Sequence, residues 1–522
     1  MAEARNGKTN IKPDDILYSP QLVQQQRNGV YLLIDPASPN WATMNSFGSA
    51  VIRACDGRHT LDEITNSLSG NSPADDVAAF AERAADAGFI STTPDISPAY
   101  RGRNYAIAPA KLEELWINTN NSCPLSCKHC LVDGGKEKAS PMTTAELKQM
   151  VDEAIELGVK RVYFTGGDPF LRKDILPLIK YVTARVQLVV LTSGVLINRE
   201  TAAGIRSATN DRLMLQISLE GPDASTNDAI RGKGSYDRAV GGIRALIQAG
   251  ITPVVTTTLT KLNYRRAAET TRYLADLGIR NHHILWLHAR GRMRQNTDEL
   301  LLPGSEVARV MARLRDTTGG TNIIVDNMVS LAARVRGKRG RKNDLCNSCY
   351  GVLNVNTDGH VYPCASLCGA SGFDCGSVKE KSLGDIWLKS DTTKWIRENS
   401  VQKRTGCSSC YLKYFCGGGC FAQSYFNYEM TTGEGCIVAP DPYCEAYKSQ
   451  ITALMWQIAM PQPKEILENQ PTLYRQMENT LPGCAADGNR ILDAAFDVGT
   501  YHCSCAPAMD ALGNKRRRGG TR

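Results

Sequence analysis

The stretch CPLSCKHCL, from Cys123 to Leu131, places three thiols within eight residues, with three and then two residues between them. Three thiolates on one short loop suit a metal site that is left one ligand short. Around zinc, such a site keeps a position for water or substrate, whereas a closed structural site does not. Around a 4Fe-4S cube, three thiolates hold three irons and leave the fourth without a protein ligand, an arrangement of no use to a simple electron carrier. In either case the missing ligand marks a place where a small molecule binds metal directly.

A second field of thiols lies downstream. Cys349 is followed by nine residues, Gly359, four residues and Cys364; Cys407, Cys410, Cys416 and Cys420 follow with two, five and three residues between them. Cys444 ends the turn PDPYC, Cys346 lies just upstream of Cys349, and Cys368, Cys375 and Cys436 lie close enough to compete as ligands. A zinc ribbon on Cys407 and Cys410 is the alternative that the remaining spacing argues against. The sequence has 18 cysteines in 522 residues. The polar start MAEARNGKTN carries no secretory signal, so a cytoplasmic chain with reduced thiols and metal ligation is expected rather than a disulfide framework. No apolar run approaches the roughly 18 residues that suggest a membrane span, so no membrane partner is expected. The formal charge of +8 sits partly in the run RVRGKRGRK (Arg334 to Lys342) and the tail KRRRGGTR. These runs read as solvated segments rather than a nucleic-acid surface.

The elements that must position these thiols follow from periodicity. From LWINTN onward, six strand segments alternate with helices: RVYFTGG, LVVLTSG, LMLQISLEG, TPVVTTTLT and HHILWLHARG complete the set. Thr143 and Glu146 stand at capping-box spacing before the first helix. Such alternation predicts an α/β fold with a parallel sheet and right-handed crossovers, a partial (β/α)6 barrel of the TIM type over residues 108–325. Chemistry is expected at the C-terminal strand ends, where the three cysteines lie. Residues 1–100 read as a small winged-helix-like unit, with strands VYLLID and WATMN before three helices and a capping box at Thr60 and Glu63. Residues 335–450 form the Cys-rich unit, which is poor in aliphatic residues and needs metal as a staple. Residues 451–522 form an extension, expected to be partly disordered, with helices over ITALMWQIAM and KEILENQPTLYRQMENTL.

Cys123, Cys127 and Cys130, with His129 before the third, resemble the cluster loop of radical S-adenosylmethionine enzymes. The resemblance implies one [4Fe-4S] cluster whose open iron is chelated by S-adenosylmethionine, and cleavage of that cofactor to a 5'-deoxyadenosyl radical. It implies cofactor contacts at Gly166, Gly167 and Asp168 of TGGDP, where the family has Gly-Gly-Glu, at Ser218 of ISLEG, and at the carboxylate-binding Arg231. His129 is implied to pack on the adenine side. The second field resembles the SPASM extension, implying two auxiliary [4Fe-4S] clusters, one on Cys346, Cys349, Cys364 and Cys420 and one on Cys407, Cys410, Cys416 and Cys444. Cys436 is the rival to Cys444.

NWATMNSFGSAVIRACDGRHTLDEI followed by FAERAADAGFI resembles the peptide-recognition domain of pyrroloquinoline quinone biosynthesis (PqqD-like). That resemblance implies a substrate peptide with a leader sequence, or a partner protein. Expected outcomes are a thioether, a carbon–carbon crosslink, oxidation or epimerisation, driven by an external electron donor such as flavodoxin or ferredoxin. The alternatives are maturation of a partner enzyme or of a haem- or quinone-type cofactor, and a non-catalytic iron-sulfur electron carrier. No catalytic acid, base or hydrogen donor can be assigned; epimerisation would need a hydrogen donor, commonly a cysteine, and Cys484, Cys503 and Cys505 are unassigned thiols, the HCSC pair reading as such a donor, a metal lure or an accident.

Overall fold

The computed structural model describes residues 10–68, 74–94, 99–137, 140–318, 321–459 and 473–475. Six parallel strands stand side by side in chain order: β1 (Glu114–Asn120), β2 (Arg161–Gly166), β3 (Gln187–Thr192), β4 (Leu213–Ser218), β5 (Val254–Leu259) and β6 (Asn281–Trp286). This is the expected α/β partial barrel. A short parallel strand, β7 (Ile324–Val325), extends it beyond β6.

The Cys-rich unit does not stand apart. Its strand β8 (Val352–Val355) pairs in parallel with β1, and the antiparallel strands β9 (His360–Tyr362) and β10 (Gly376–Ser377) continue the same ten-stranded sheet. One face of the sheet buries Leu115, Ile117, Val162, Phe164, Val190 and Ile217 against the surrounding helices. The helix Thr144–Glu156 starts with the capping box expected at Thr143 and Glu146, which satisfies backbone donors that the first turn leaves open.

The inner face follows the alternation of a strand. At its lower end Trp116 stacks on Tyr163 with centroids 3.9 Å apart, and Val189, Met214, Val254 and Val352 complete an apolar plug. Two residues along the same strands, the face turns polar at Asn118, Gln216 and Thr256, all buried. The change of character falls between the plug and the cysteine loop.

The N-terminal unit holds the expected strands Val30–Asp35 and Asn40–Met44 and helices Ser46–Ala54, Leu61–Leu68 and Ala74–Asp86. The Thr60 and Glu63 box is formed, with N···O distances of 2.9 and 3.2 Å. Val23–Arg27 adds an antiparallel strand, and Ile16–Tyr18 pairs with Asp56–Thr60 in a separate ribbon. One face of the main sheet packs on its own helices through Leu33, Ala42, Met44, Val51 and Phe80. The other, with Leu32, Ile34 and Trp41, packs on Leu331, Phe415, Met455 and Trp456 of the Cys-rich side. Trp41 Nε1 donates to the Val335 carbonyl at 2.8 Å, fixing that docking.

Two expectations change here. The basic run is not simply solvated: the Gly340 N–H donates to the Pro39 carbonyl at 3.1 Å, and the Arg339 guanidinium occupies the space beside Gly88 that a side chain there would fill. Within KEILENQPTLYRQMENTL, the described residues Leu473–Arg475 form a strand instead of helix, paired antiparallel with Asn40–Met44. Sheet pairing at an open edge outweighs the local helical pattern. The helix Cys444–Ala459 covers ITALMWQIA and runs continuously across position 450. Cys484, Cys503, Cys505 and the basic tail lie outside the described residues.

Candidate cluster and cofactor site

The cysteine loop leaves the C-terminal end of β1 and is tied down by backbone. Cys123 N–H donates to the Gly135 carbonyl (2.9 Å), Gly135 N–H to Asn121 (3.0 Å) and Lys128 N–H to Ile230 (2.9 Å). Gly134 N–H points at Cys130 Sγ, 3.3 Å away. Arg292, which the sequence reading passed over, clamps the loop from the far side. Its guanidinium donates to the Cys127 and Gly134 carbonyls at 3.0 and 2.7 Å, and its N–H donates to the Cys130 carbonyl at 3.0 Å. Gly291 before it has φ of +67°, and a Cβ there would overlap the Cys130 and Leu131 carbonyl oxygens. A Gly-Arg pair after a strand is a weak signal until the fold brings it against the loop.

Burial pushes the Cys123 thiol up to about 11, and the nearby Asp168, Cys127 and Cys130 add to that rise. Each thiolate therefore disfavours the next unless a cation lies between them, which is what a metal-ligating set requires. Among the described residues no group of three or more His, Cys, Asp or Glu converges on a single metal ion.

The turn after β2 is built into the same loop. Gly167 N–H donates to the Asn120 carbonyl and Asp168 N–H to Ser122, both at 2.8 Å. Gly166 has φ of +120°, and Cβ atoms at Gly166 and Gly167 would overlap the Asn120 and Ser122 carbonyl oxygens. The glycines are thus needed for contact with the cysteine loop itself. Gly167→Ala should retain the fold, since overpacking costs about 1–3 kcal/mol, yet displace the loop. Iron counting after reconstitution should show one cluster fewer than the native chain; an unchanged count would dissociate the turn from the cluster.

Asp168 is fully buried beneath this turn. Its carboxylate accepts from Thr192 Oγ1 (2.8 and 2.9 Å), Ser193 Oγ (2.5 Å), Ser193 N (3.1 Å) and Phe170 N (3.1 Å). The acid organises the turn and the TSG segment after β3, and its oxygens are already engaged. Ser218 ends β4, half-buried on the inner face.

Arg231 lies deeper. Its Nε and Nη2 donate to Glu220 Oε1 at 2.9 and 2.6 Å, and Nη1 lies 3.9 Å from Cys127 Sγ. Glu220, just past β4 and fully buried, also lies 3.2 Å from His129 Nε2 and accepts from Thr258 N at 2.7 Å. Burial alone would raise the Glu220 carboxyl, but Arg231 and His129 pull it down to about 2. Glu220 lies within ISLEG and went unrecognised, because a sequence shows no partner for a buried acid. His129 therefore packs against the buried Glu220–Arg231 pair beneath the loop.

Above the apolar plug, Asn120 Oδ1, Gln216 Oε1 and Thr256 Oγ1 are buried without a hydrogen-bond partner. Unpaired buried polar atoms cost about 1–3 kcal/mol each. Three of them on the inner face, between the plug and the cysteine loop, fit a polar cofactor or substrate that completes their bonding.

In the second field, Cys407, Cys410, Cys416 and Cys444 lie near one another. Burial raises Cys407, with Cys444 and Cys410 adding to it; burial likewise raises Cys444, with Cys410 adding, and takes Cys416 up to about 12, with Cys444 contributing. Asp441 of PDPYC accepts from Cys420 N and Tyr443 N, both at 2.7 Å, so this turn ties the backbone at Cys420 to the start of the helix that carries Cys444. Cys349 is buried in a left-handed conformation, φ +63°. Burial raises its thiol, as does a hydrogen bond to Cys375, one of the competing thiols of this field. Cys346 Sγ lies 3.2 Å from Ser348 Oγ, and its carbonyl accepts from Arg103. Cys364 is buried at the end of the β8–β9 hairpin, and Arg290 lies close to both Cys364 and Cys368.

Comparison with known proteins matches three family models: "Radical SAM superfamily" over residues 117–274, "Iron-sulfur cluster-binding domain" (SPASM) over 346–411 and "Coenzyme PQQ synthesis protein D (PqqD)" over 31–90. The mycofactocin maturase MftC of Mycolicibacterium smegmatis is 30% identical over 329 residues, 62% of this chain and 80% of that protein. The AdoMet-dependent heme synthase of Nitratidesulfovibrio vulgaris is 29% identical over 63% of this chain and 90% of its own. The PqqA peptide cyclase of Methylocella silvestris is 26% identical over 65% and 89%. Among solved structures, native anSMEcpe with bound AdoMet superposes with a TM-score of 0.54 at 15% identity, over 66% of this chain and 98% of that one. Streptococcus suis SuiB bound to precursor peptide SuiA gives 0.51 at 16% identity, over 79% and 95%. At these identities the structures speak for the fold. No helix among the described residues is long and apolar enough to cross a membrane.

Proposed function

Since the chain belongs to the radical S-adenosylmethionine superfamily and is an enzyme of that chemistry, with S-adenosylmethionine and [4Fe-4S] clusters as cofactors, we propose that it is a maturase of a ribosomally made peptide. The observation that carries this reading is the docking of the PqqD-like sheet, through Trp41, on the second cysteine field. A peptide held by that sheet is thereby tied to the redox half of the molecule and kept at high local concentration. The maturase MftC and the PqqA cyclase among its relatives support it.

Cys123, Cys127 and Cys130 would hold the cluster with the open iron; Cys346, Cys349, Cys364 and Cys420, and Cys407, Cys410, Cys416 and Cys444, would hold the two closed ones. When bound, these groups supply one-electron cleavage of S-adenosylmethionine and a radical that takes a hydrogen atom from substrate. The residues of this chain orient and exclude. Gly166 and Gly167 offer backbone at the cofactor's amino end, Ser218 offers a hydroxyl, and Asp168 acts by holding the turn. Arg231, half neutralised by Glu220, places its remaining N–H donors at Cys127 and the cofactor. The apolar plug closes the lower end against water, and a flavodoxin or ferredoxin would supply the electron.

The test is anaerobic reconstitution with S-adenosylmethionine and a strong reductant. Three clusters' worth of iron and 5'-deoxyadenosine formation are expected. A fully reduced sample with two clusters and no deoxyadenosine would return the chain to the electron carriers.

A further inference from the structure

Arg404 is a buried cation whose donors are only partly used. It is 1% exposed, and a guanidinium keeps its charge when buried. Nη2 donates to Ser424 Oγ and to the Ala439 carbonyl, which fixes the plane of the group. Nε and Nη1 have no hydrogen-bond partner, and no carboxylate among the described residues accepts from the group. The Phe421 ring covers one side, its centroid 5.8 Å from the guanidinium carbon. A Cβ at Gly418, where φ is +84°, would come within 3.2 Å of Arg404 Cδ, so the stem is closely packed as well. An uncompensated buried charge is strongly destabilising. A chain that holds Arg404 in this way is built for an anion that protein atoms do not supply.

The backbone places that anion. The Arg404 carbonyl accepts from the Cys407 and Ser408 N–H groups at 3.1 and 3.3 Å, at the start of the loop that carries Cys407 and Cys410. Burial raises the Cys407 thiol, and the Arg404 charge is the first influence to oppose that rise; it acts on Cys444 as well. Asp441, the acid in its field, already accepts from Cys420 N and Tyr443 N. Other arginines near the thiols brace backbone instead. Arg103 donates to the Cys346, Ile396 and Asn399 carbonyls, Arg397 to those of Cys349 and Trp387, and Arg290 to those of Ser366 and Cys368. We propose that Arg404 is the counter-charge and hydrogen-bond donor of the cluster on Cys407, Cys410, Cys416 and Cys444, and that it raises the reduction potential of that cluster. This rests on the assignment of a closed cluster to those four cysteines. Such a cluster gains one negative charge with each electron it accepts from an external carrier, and no bond breaks. A fixed cation and N–H donors to sulfur favour the more negative state, which makes this cluster the readier electron acceptor. Lys448 also acts on Cys410 and Cys444, but from a half-buried position where water and salt screen it.

The experiment uses the full reconstituted chain with Cys123, Cys127 and Cys130 replaced by Ala, so that only the auxiliary clusters report, and titrates it with dithionite under electron paramagnetic resonance. Arg404→Gln should keep the iron of both clusters and move the reduction equilibrium of one of them toward the oxidised form by about tenfold or more, which is about 59 mV for a one-electron couple. Arg404→Lys restores the charge without the fork of donors, and its midpoint should fall between the other two. An Arg404 that served packing alone would alter stability or iron content and leave the midpoint in place. A Gln chain with full iron and an unchanged midpoint therefore overturns the proposal. If the Gln chain loses iron, pulsed resonance of the parent chain labelled with nitrogen-15 arginine decides. A nitrogen coupling to a reduced cluster that is missing from a Cys410→Ala chain is expected, and a parent without such a coupling overturns the proposal. Iron for a single auxiliary cluster in the parent would remove the cluster assignment and this proposal with it.

Discussion

Replacing Cys123, Cys127 and Cys130 together by Ala should abolish 5'-deoxyadenosine formation and lower the iron content by one cluster of three, with the remaining iron retained. The loop sits at the C-terminal end of β1, outside the main core, and its backbone is held by Arg292, Gly135 and Ile230 rather than by the thiols. Fold loss is therefore not expected. Only Cys127 is buried, so its truncation leaves a small cavity at a cost of about 1–3 kcal/mol. The auxiliary thiols are on other elements, Cys407 to Cys444 around the Asp441 turn and Cys349 beside Cys375, and should reconstitute unaided. Retained deoxyadenosine formation would place the chemistry elsewhere in the chain.

Glu220→Ala should destabilise the barrel by about 3–5 kcal/mol in urea denaturation, the usual cost of stripping one partner from a buried ion pair. Glu220 is fully buried, and Arg231 and His129 both face it. Its removal leaves a buried guanidinium beside Cys127 with no counter-charge. The sign with pH follows from the depressed folded pKa. Glu220 contributes stability above the ordinary carboxylate value of 4.5 that is lost as pH falls toward about 2. Glu220→Gln should remove that part of the acid sensitivity. A Glu220→Ala chain within about 1 kcal/mol of the native one would mean that water or rearrangement satisfies Arg231.

The sequence exposes what is local and periodic. The three-thiol loop, the Gly-Gly-Asp turn, the six alternating strands and both capping boxes depend on short spacings and on residue types with narrow uses, and each is found in place. What escaped depends on tertiary partners. Glu220 looks like any strand-end acid until Arg231 and His129 close on it. Gly291 and Arg292 act on a loop more than 150 positions earlier. The strand Val23–Arg27, VQQQR, lacks apolar alternation because it lies at an exposed edge. Leu473–Arg475 reads as part of a helix because the edge that recruits it lies over 400 residues away. Asp168 was correctly placed in its turn, but only the fold reveals that Thr192 and Ser193 consume its carboxylate.

An iron left open for S-adenosylmethionine on the Cys123, Cys127 and Cys130 loop would show itself most directly in electron paramagnetic resonance of the reduced, reconstituted chain before and after adding that cofactor. The signal of one cluster should change on addition, and the triple Ala chain should have neither that signal nor the change. A spectrum of the native chain unaltered by S-adenosylmethionine would contradict it.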